Sequence, residues 1–169
     1  TIYDSMGIAL YLADRHEGVW PKDLDARVWA QCAASEMHSG FSALRNDCTM
    51  NVGVRVNPKP MSDALKANVA RIRELFEEGL SRFGGPYLAG AEFSAVDAFF
   101  APVAWRVRTY GLDVGKGQAW VDHIIAHIGG GITRQFEHVE QLEHRFEFIL
   151  HALKDMRDAK VLCACRDAA

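Results

Sequence analysis

The chain has 169 residues, of which 49% are hydrophobic and 24% are charged, and its formal net charge is -3 at pH 7. These values predict one globular domain with a real core, and they give no electrostatic reason to expect nucleic acid or a membrane surface as a partner. No apolar run approaches the roughly 20 residues that span a bilayer and no signal pattern opens the chain, so we expect a cytoplasmic protein with free thiols.

The first predicted helix runs from about Asp4 or Ser5 to Arg15. Glycine, tryptophan and proline at positions 18, 20 and 21 then interrupt the helical pattern. The chain begins at Thr1 and not at methionine, and no preceding element covers the apolar positions of this helix. Both points favour a start inside a longer protein. The apolar positions are Ile8, Leu10, Tyr11 and Leu12.

Two longer amphipathic helices are predicted next. The second helix starts near Asp23 or Asp25 and ends near Met50, with apolar residues at spacings of three to five. Positions 51–60 contain glycine and two prolines and predict a loop. Ser62 then caps a third helix that ends near Phe83. The Gly-Gly-Pro that follows is a strong stop, because glycine tolerates the left-handed C-cap and proline cannot continue the helix.

A capping box opens the fourth predicted helix. Ser94 can cap the free amide of Asp97, and the Asp97 carboxylate can return a bond to the amide of Ser94. The helix that follows is apolar around most of its circumference, so we expect it to be the central helix of the domain. Pro102 lies inside it and is expected to kink it or make it locally irregular. Gly111 is expected to end it.

The C-terminal part of the chain predicts two more helices separated by a hinge. One covers about 118–128, glycines 129–131 form the hinge, and a long amphipathic helix covers about 133–161. This last helix could dock on or pair with another chain, or extend into solvent. His123 and His127 could share a helix face, but no third ligand is evident, and no metal site is predicted.

Three groups of residues, in order along the chain, resemble glutathione transferases. Asp4-Ser5, the apolar helix after them and Trp20-Pro21 are similar to the last helix of the family's thioredoxin-like domain and the linker that follows. Residues 36–41, 84–90 and 93–102 are similar to the helical domain of the family, including its Ser-x-x-Asp capping box and hydrophobic staple. The resemblance spans about residues 2–121.

The resemblance implies an all-α fold, a helical bundle of the glutathione transferase C-terminal domain type with an atypical long C-terminal helix. Residues 1–18 are then a remnant of the thioredoxin-like domain and the linker. Residues 19–128 are the helical C-terminal domain, and residues 129–169 are an atypical helical extension.

In glutathione transferases the acidic residue and serine bind the γ-glutamyl end of glutathione, so the resemblance makes Asp4 and Ser5 the candidate glutathione-binding residues. The chemistry suits this role, since a serine hydroxyl at a helix N-terminus can bind a carboxylate and an acidic side chain can pair with an ammonium group. The alternative interpretation is that Asp4 is the N-cap of its helix. The capping role and the binding role are compatible.

No catalytic residue is predicted. Family members lower the thiol pKa of glutathione with a Tyr, Ser or Cys near the start of the thioredoxin-like domain, a region that this chain does not include. The resemblance does imply candidates for the electrophile pocket, on the long helix after the linker and on the central helix. The alternative reading makes these residues core or solvated surface. The candidates are Met37, His38, Phe41, Arg45, Trp105, Arg106, Thr109 and Tyr110.

The resemblance predicts a partial glutathione transferase, which conjugates glutathione to small electrophiles when it is complete. Glutathione is then a co-substrate, no bound cofactor is expected, and the other ligand is a small hydrophobic electrophile. A full-length protein of this kind is expected to be a homodimer. These residues alone lack the thiol-activating half and are expected to be inactive, so whether the chain acts as an enzyme stays open. The alternative is a stand-alone helical protein-interaction module.

Overall fold

The computed structural model describes residues 1–52, 54–56 and 60–136, with side chains described as far as residue 128. The described part of the chain contains α-helices, one 3₁₀ turn at Gly115–Gly117 and no strand, which confirms the all-α prediction. The helices are α1 (Ser5–Ala13), α2 (Leu24–Ser39), α3 (Ser42–Asp47), α4 (Asp63–Phe83), α5 (Ala95–Tyr110) and α6 (Gln118–Phe136).

Side-chain caps define the starts of three helices. The Asp23 carboxylate accepts from the amide of Ala26 at 2.9 Å, and the Ser62 hydroxyl accepts from the amide of Leu65 at 3.1 Å. Asp4 caps α1 in the same way. Each cap satisfies an amide that has no partner inside its helix. At the other ends of α4 and α5, glycines 84 and 111 adopt the left-handed conformation at φ 80° and 62°.

The α5 helix lies at the centre of the domain, as the sequence predicts. It packs on α2 along one side and on α6 along another, while α4 packs on α3 and the 3₁₀ turn. Phe76 of α4 joins these layers, because its ring lies 5.5 Å from Phe100 and 4.7 Å from Trp120. All three aromatic side chains are buried. Pro102 does not interrupt α5, which stays helical from Ala95 to Tyr110.

The prediction of a single long helix that ends near Met50 is wrong. The chain leaves the helix at Gly40 and restarts as α3, with Phe41 between them in the left-handed conformation at φ 58° and ψ 40°. The Gly40 amide still bonds to the Glu36 carbonyl at 2.8 Å, and a Cβ on Gly40 would lie only 2.7 Å from that oxygen. Burial of the Phe41 side chain in the core offsets the strained backbone.

The predicted hinge at glycines 129–131 is also wrong, because α6 continues through them to Phe136. Glycine weakens a helix by about 1 kcal/mol relative to alanine, but it keeps the backbone donor that proline lacks. The predicted helix over about 133–161 lies outside the described residues beyond position 136. No helix within the described ranges is long and apolar enough to cross a membrane.

Candidate functional site

The two candidate glutathione-binding residues lie at the start of α1, where α1 meets α2. His38, from the last turn of α2, contacts both of them. Its Nε2 lies 2.8 Å from Oδ2 of Asp4, and its Nδ1 lies 3.0 Å from Oγ of Ser5. Asp4 also accepts from the amide of Met6 at 2.8 Å through its other oxygen. One histidine therefore joins the acidic residue and the serine in a single hydrogen-bonded corner.

The backbone of Asp4 is strained. Its φ is 73° and its ψ is 132°, a region that residues other than glycine rarely occupy. Strain of this kind costs on the order of 1–3 kcal/mol and is found most often at binding and catalytic sites. The two bonds to the carboxylate, one from Met6 and one from His38, hold this conformation. The strain therefore supports a binding role for Asp4 in addition to helix capping.

The hydrogen bonds also fix the protonation pattern of the corner. The Met6 amide holds the pKa of the Asp4 carboxyl below its ordinary value, against an opposing effect of burial, and the His38 imidazole lowers this pKa further. The ionised carboxylate requires the proton of a neutral His38 ring to lie on Nε2. Nδ1 then accepts from the Ser5 hydroxyl. If the ring is protonated, Nδ1 donates to Ser5 instead and leaves the hydroxyl proton free for a ligand.

A cleft of about 530 Å³ opens beside this corner, between α1, α2, α3 and α5. Its volume is in the range of small-molecule sites. Three of the eight candidate electrophile-pocket residues line it. Those three are Met37, His38 and Arg45, and the other lining residues are Ser5, Ala98, Phe99 and Pro102.

The remaining five candidates lie elsewhere. Phe41 and Trp105 are buried in the hydrophobic core. The other three bind the segment after α3 to the C-terminal half of α5. Arg106 donates to the Cys48 carbonyl at 2.8 Å, Thr109 to the Asn51 carbonyl at 2.7 Å and Tyr110 to the Thr49 carbonyl at 3.0 Å.

Ala98, Phe99 and Pro102 line the cleft but are not among the eight candidates predicted from the sequence. A weak signal for them exists in the sequence. Positions 98 and 102 are four apart and share a helix face, and Ala98 is the small residue that leaves room there. The general apolarity of α5 hides this face, because a helix that is apolar all round gives no indication of which side is open.

Asp97 lies away from the cleft and organises the start of α5. A capping box with Ser94 is present, and the Ser94 amide donates to Asp97 Oδ2 at 3.0 Å. The other oxygen accepts from the amide of Leu88 and from Nε1 of Trp120, each at 2.9 Å. Burial raises the pKa of the carboxyl, against the opposing effect of these donors. The residue therefore connects α5 to the loop before it and to α6.

His123 and His127 of α6 pack against aromatic rings. The His127 ring stacks on Phe93 with a centroid separation of 5.5 Å, and the Tyr87 ring lies 4.9 Å from the His123 ring. In the described ranges, no three His, Cys, Asp or Glu side chains are grouped so that they could hold a metal ion. His123 and His127 therefore belong to an aromatic cluster with Tyr87 and Phe93.

A second cleft, of about 550 Å³, lies between the end of α1 and the start of α2. It shares no lining residue with the first cleft, and its charged lining residues carry both signs: Asp14, Glu17, Lys22 and Arg27. Nε1 of Trp20 is buried and has no hydrogen-bond partner in the described part of the chain. The mixed charges indicate no single class of ligand, so the cleft beside Ser5 and His38 is the better candidate site.

The fold and the geometry together define a helical domain with a cleft beside the N-terminus of its first helix. Residues 32–127 match the family described as glutathione S-transferase, C-terminal domain. A comparison with curated proteins finds no match. Because the matched region is more than half of the chain, the protein belongs to the glutathione S-transferase C-terminal domain family.

Proposed function

We propose that this chain is part of a glutathione transferase in which the start of α1 binds the γ-glutamyl end of glutathione and the adjacent cleft binds a small electrophile. Residues 1–18 are then the last helix of a thioredoxin-like domain with its linker, residues 19–128 are the helical domain, and residues 129–169 are an extension. The complete protein is then a cytoplasmic homodimer that detoxifies electrophiles.

The observation that carries this proposal is the position of Ser5. The same hydroxyl belongs to the hydrogen-bonded corner with Asp4 and His38 and also lines the cleft with Phe99 and Pro102. A ligand carboxylate bound at Ser5 would therefore lie at the edge of an apolar surface. This is the arrangement that a two-substrate transferase needs, since the nucleophile and the electrophile have to meet.

Each charged group of a γ-glutamyl end finds a complementary group in this corner. The Asp4 carboxylate is ionised and partly exposed, so it can pair with an ammonium group. The Ser5 hydroxyl and the N-terminus of α1 can bind the α-carboxylate. The proposal assigns activation of the thiol to the thioredoxin-like domain. Residues 1–169 alone are then expected to bind glutathione weakly and not to activate it.

The test is binding of glutathione to the purified chain and to Ser5→Ala, measured by titration calorimetry and by retention on immobilised glutathione. We expect Ser5→Ala to weaken binding by about tenfold, because it removes a hydrogen bond to a charged group. Ser39→Ala is the matched control, since Ser39 is an exposed serine of α2 whose hydroxyl, among the described residues, bonds only to the Ser35 carbonyl. Equal binding by the chain and by Ser5→Ala would refute the assignment.

One observation favours a second candidate function, a stand-alone protein-interaction module. Leu10, Tyr11 and Leu12 of α1 are all exposed, and three consecutive apolar residues on a surface can form a docking patch. The same titration discriminates the two functions. An interaction module has no need to bind glutathione, so measurable binding that depends on Ser5 supports the transferase.

A further inference from the structure

The cleft beside Ser5 has an arginine in its wall that has no acidic partner. Arg45 of α3 donates from Nε to the Gly40 carbonyl at 3.2 Å and from Nη2 to the Met37 carbonyl at 2.5 Å. These bonds hold the guanidinium against the C-terminal end of α2. Within the described ranges, Arg45 forms no ion pair with an Asp or Glu, so its charge is not neutralised.

A second guanidinium lies behind the same wall. Arg106 of α5 is buried and donates to the carbonyl of Pro102, a cleft residue, at 3.3 Å and to the Cys48 carbonyl. Burial, and then the positive charge of Arg45, lowers the pKa of the Arg106 guanidinium. The structure gives Arg106 no acidic partner among the described residues. Two arginines therefore give this side of the cleft a positive potential.

Arginines with and without an acidic partner both occur among the described residues, and Arg15 and Arg27, like Arg45, bond to backbone carbonyls. On α4, Arg71, Arg73 and Arg82 each form an ion pair with a glutamate, at 2.7, 3.3 and 2.6 Å. The Asp4 carboxylate, next in the chain to the cleft residue Ser5, is already hydrogen-bonded to His38. Arg45 is exposed, so its charge is hydrated and gains only modestly from a partner, and a ligand that supplies an anion can pair with it.

We infer that the electrophile bound in this cleft carries an anionic group, such as a carboxylate, that pairs with Arg45 while its apolar body lies against Phe99 and Pro102. This inference rests on the proposed function and specifies its substrate class. Arg45 has a free Nη1, which makes no hydrogen bond within the described part of the chain. A planar guanidinium already fixed by two carbonyls loses little freedom on binding a carboxylate.

The glycyl carboxylate of glutathione has the same chemistry and could also pair with Arg45. The two sources are separated by omitting glutathione from one arm of the test. That arm uses two unreactive probes that differ by one carboxylate group, 1,3-dinitrobenzene and 3,5-dinitrobenzoate. Their binding to the chain is measured by equilibrium dialysis in the absence of glutathione.

We expect the chain to bind 3,5-dinitrobenzoate about fivefold more tightly than 1,3-dinitrobenzene, which is the size of a good exposed ion pair. Arg45→Met is expected to abolish this preference, because it removes the positive partner of the carboxylate. Binding of the neutral probe is expected to change by no more than about twofold, because that probe forms no ion pair with Arg45. Arg45→Lys is expected to retain part of the preference. Arg82→Met is the control, because it removes one positive charge from a helix that does not line the cleft.

Several outcomes would overturn the inference, and they differ from failure of the proposed function. Equal binding of the two probes by the chain overturns the inference alone. An equal loss of both probes in Arg45→Met shows that the residue only shapes the cleft, which also overturns it. A second arm measures glutathione, and a loss of glutathione binding in Arg45→Met without any change in probe preference assigns the anion to glutathione. If neither probe binds, the electrophile site itself is refuted.

Discussion

Replacement of Asp97 by asparagine tests whether this buried carboxylate is the main link between α5 and its neighbours. In the wild-type chain each oxygen accepts two bonds, Oδ1 from Leu88 and Trp120 and Oδ2 from the amide and hydroxyl of Ser94. An asparagine keeps one oxygen and turns the other position into a donor. Whichever way its amide is oriented, one pair of donors then faces an NH₂ group.

The cost follows from the groups that lose their acceptor. The remaining oxygen of the asparagine can keep accepting from Leu88 and Trp120. The backbone amide of Ser94 at the start of α5 is then a buried donor without a partner, and the Ser94 hydroxyl can no longer donate to position 97. An unsatisfied buried donor costs about 1–3 kcal/mol, and the lost cap costs about 1 kcal/mol. We therefore expect Asp97→Asn to lower the free energy of unfolding by about 2–4 kcal/mol, out of the 5–15 kcal/mol typical of a domain.

The measurement is urea unfolding followed by circular dichroism, with the slope against denaturant compared between variants. Trp120→Phe is the control for the network, because it removes one donor while Oδ1 of Asp97 still accepts from the Leu88 amide. Loss of this one hydrogen bond is expected to cost about 1 kcal/mol. A loss below about 1 kcal/mol in Asp97→Asn with an unchanged slope would contradict the reasoning.

Two further predictions concern packing and pH. Gly79→Ala is expected to destabilise the domain by about 1–3 kcal/mol, because its Cβ would lie 2.4 Å from the ring of Trp29. Gly7→Ala, which meets nothing within 4 Å inside α1, is expected to stabilise it by about 0.5–1 kcal/mol in the same urea assay. Burial raises the Asp97 pKa above 3.8, so its contribution to stability is present below pH 3.8 and decreases as pH rises through the folded pKa. The deficit of Asp97→Asn should therefore be larger at pH 4 than at pH 7, and the opposite trend would show that the hydrogen bonds outweigh burial.

The helix starts and the central helix could be predicted from the sequence because their causes are local. Ser62 caps a residue three positions away, and Ser94 and Asp97 satisfy each other within one turn. The left-handed glycine at position 84 likewise follows directly from the end of α4. Signals of this kind lie within a few residues of the structure that they determine, so one sequence is sufficient to read them.

The break before α3 and the composition of the cleft have causes that are distant in the chain. Phe41 adopts a left-handed backbone although phenylalanine gives no such signal, and what offsets the strain is burial in a core built from several helices. His38 meets Asp4 and Ser5 across more than 30 residues. Trp120 reaches Asp97 across 23 residues. No periodicity or spacing predicts such contacts, because they depend on how the helices pack.

The hydrogen-bonded corner of Asp4, Ser5 and His38, the proposed glutathione site, depends on how well α1 is held against α2. Asp4 keeps its strained backbone through one local bond, to Met6, and one distant bond, to His38, so the corner forms only when α1 is docked on α2. The docking buries few side chains, since Ala9 is the one buried residue within α1 and Met6 and Ala13 are only partly buried against the core. Burial of a single methyl group contributes only about 1 kcal/mol, which is comparable to the strain at Asp4. If Asp4 and Ser5 bind glutathione as proposed, the measured affinity will depend on the docking of α1 as well as on the chemistry of these two residues.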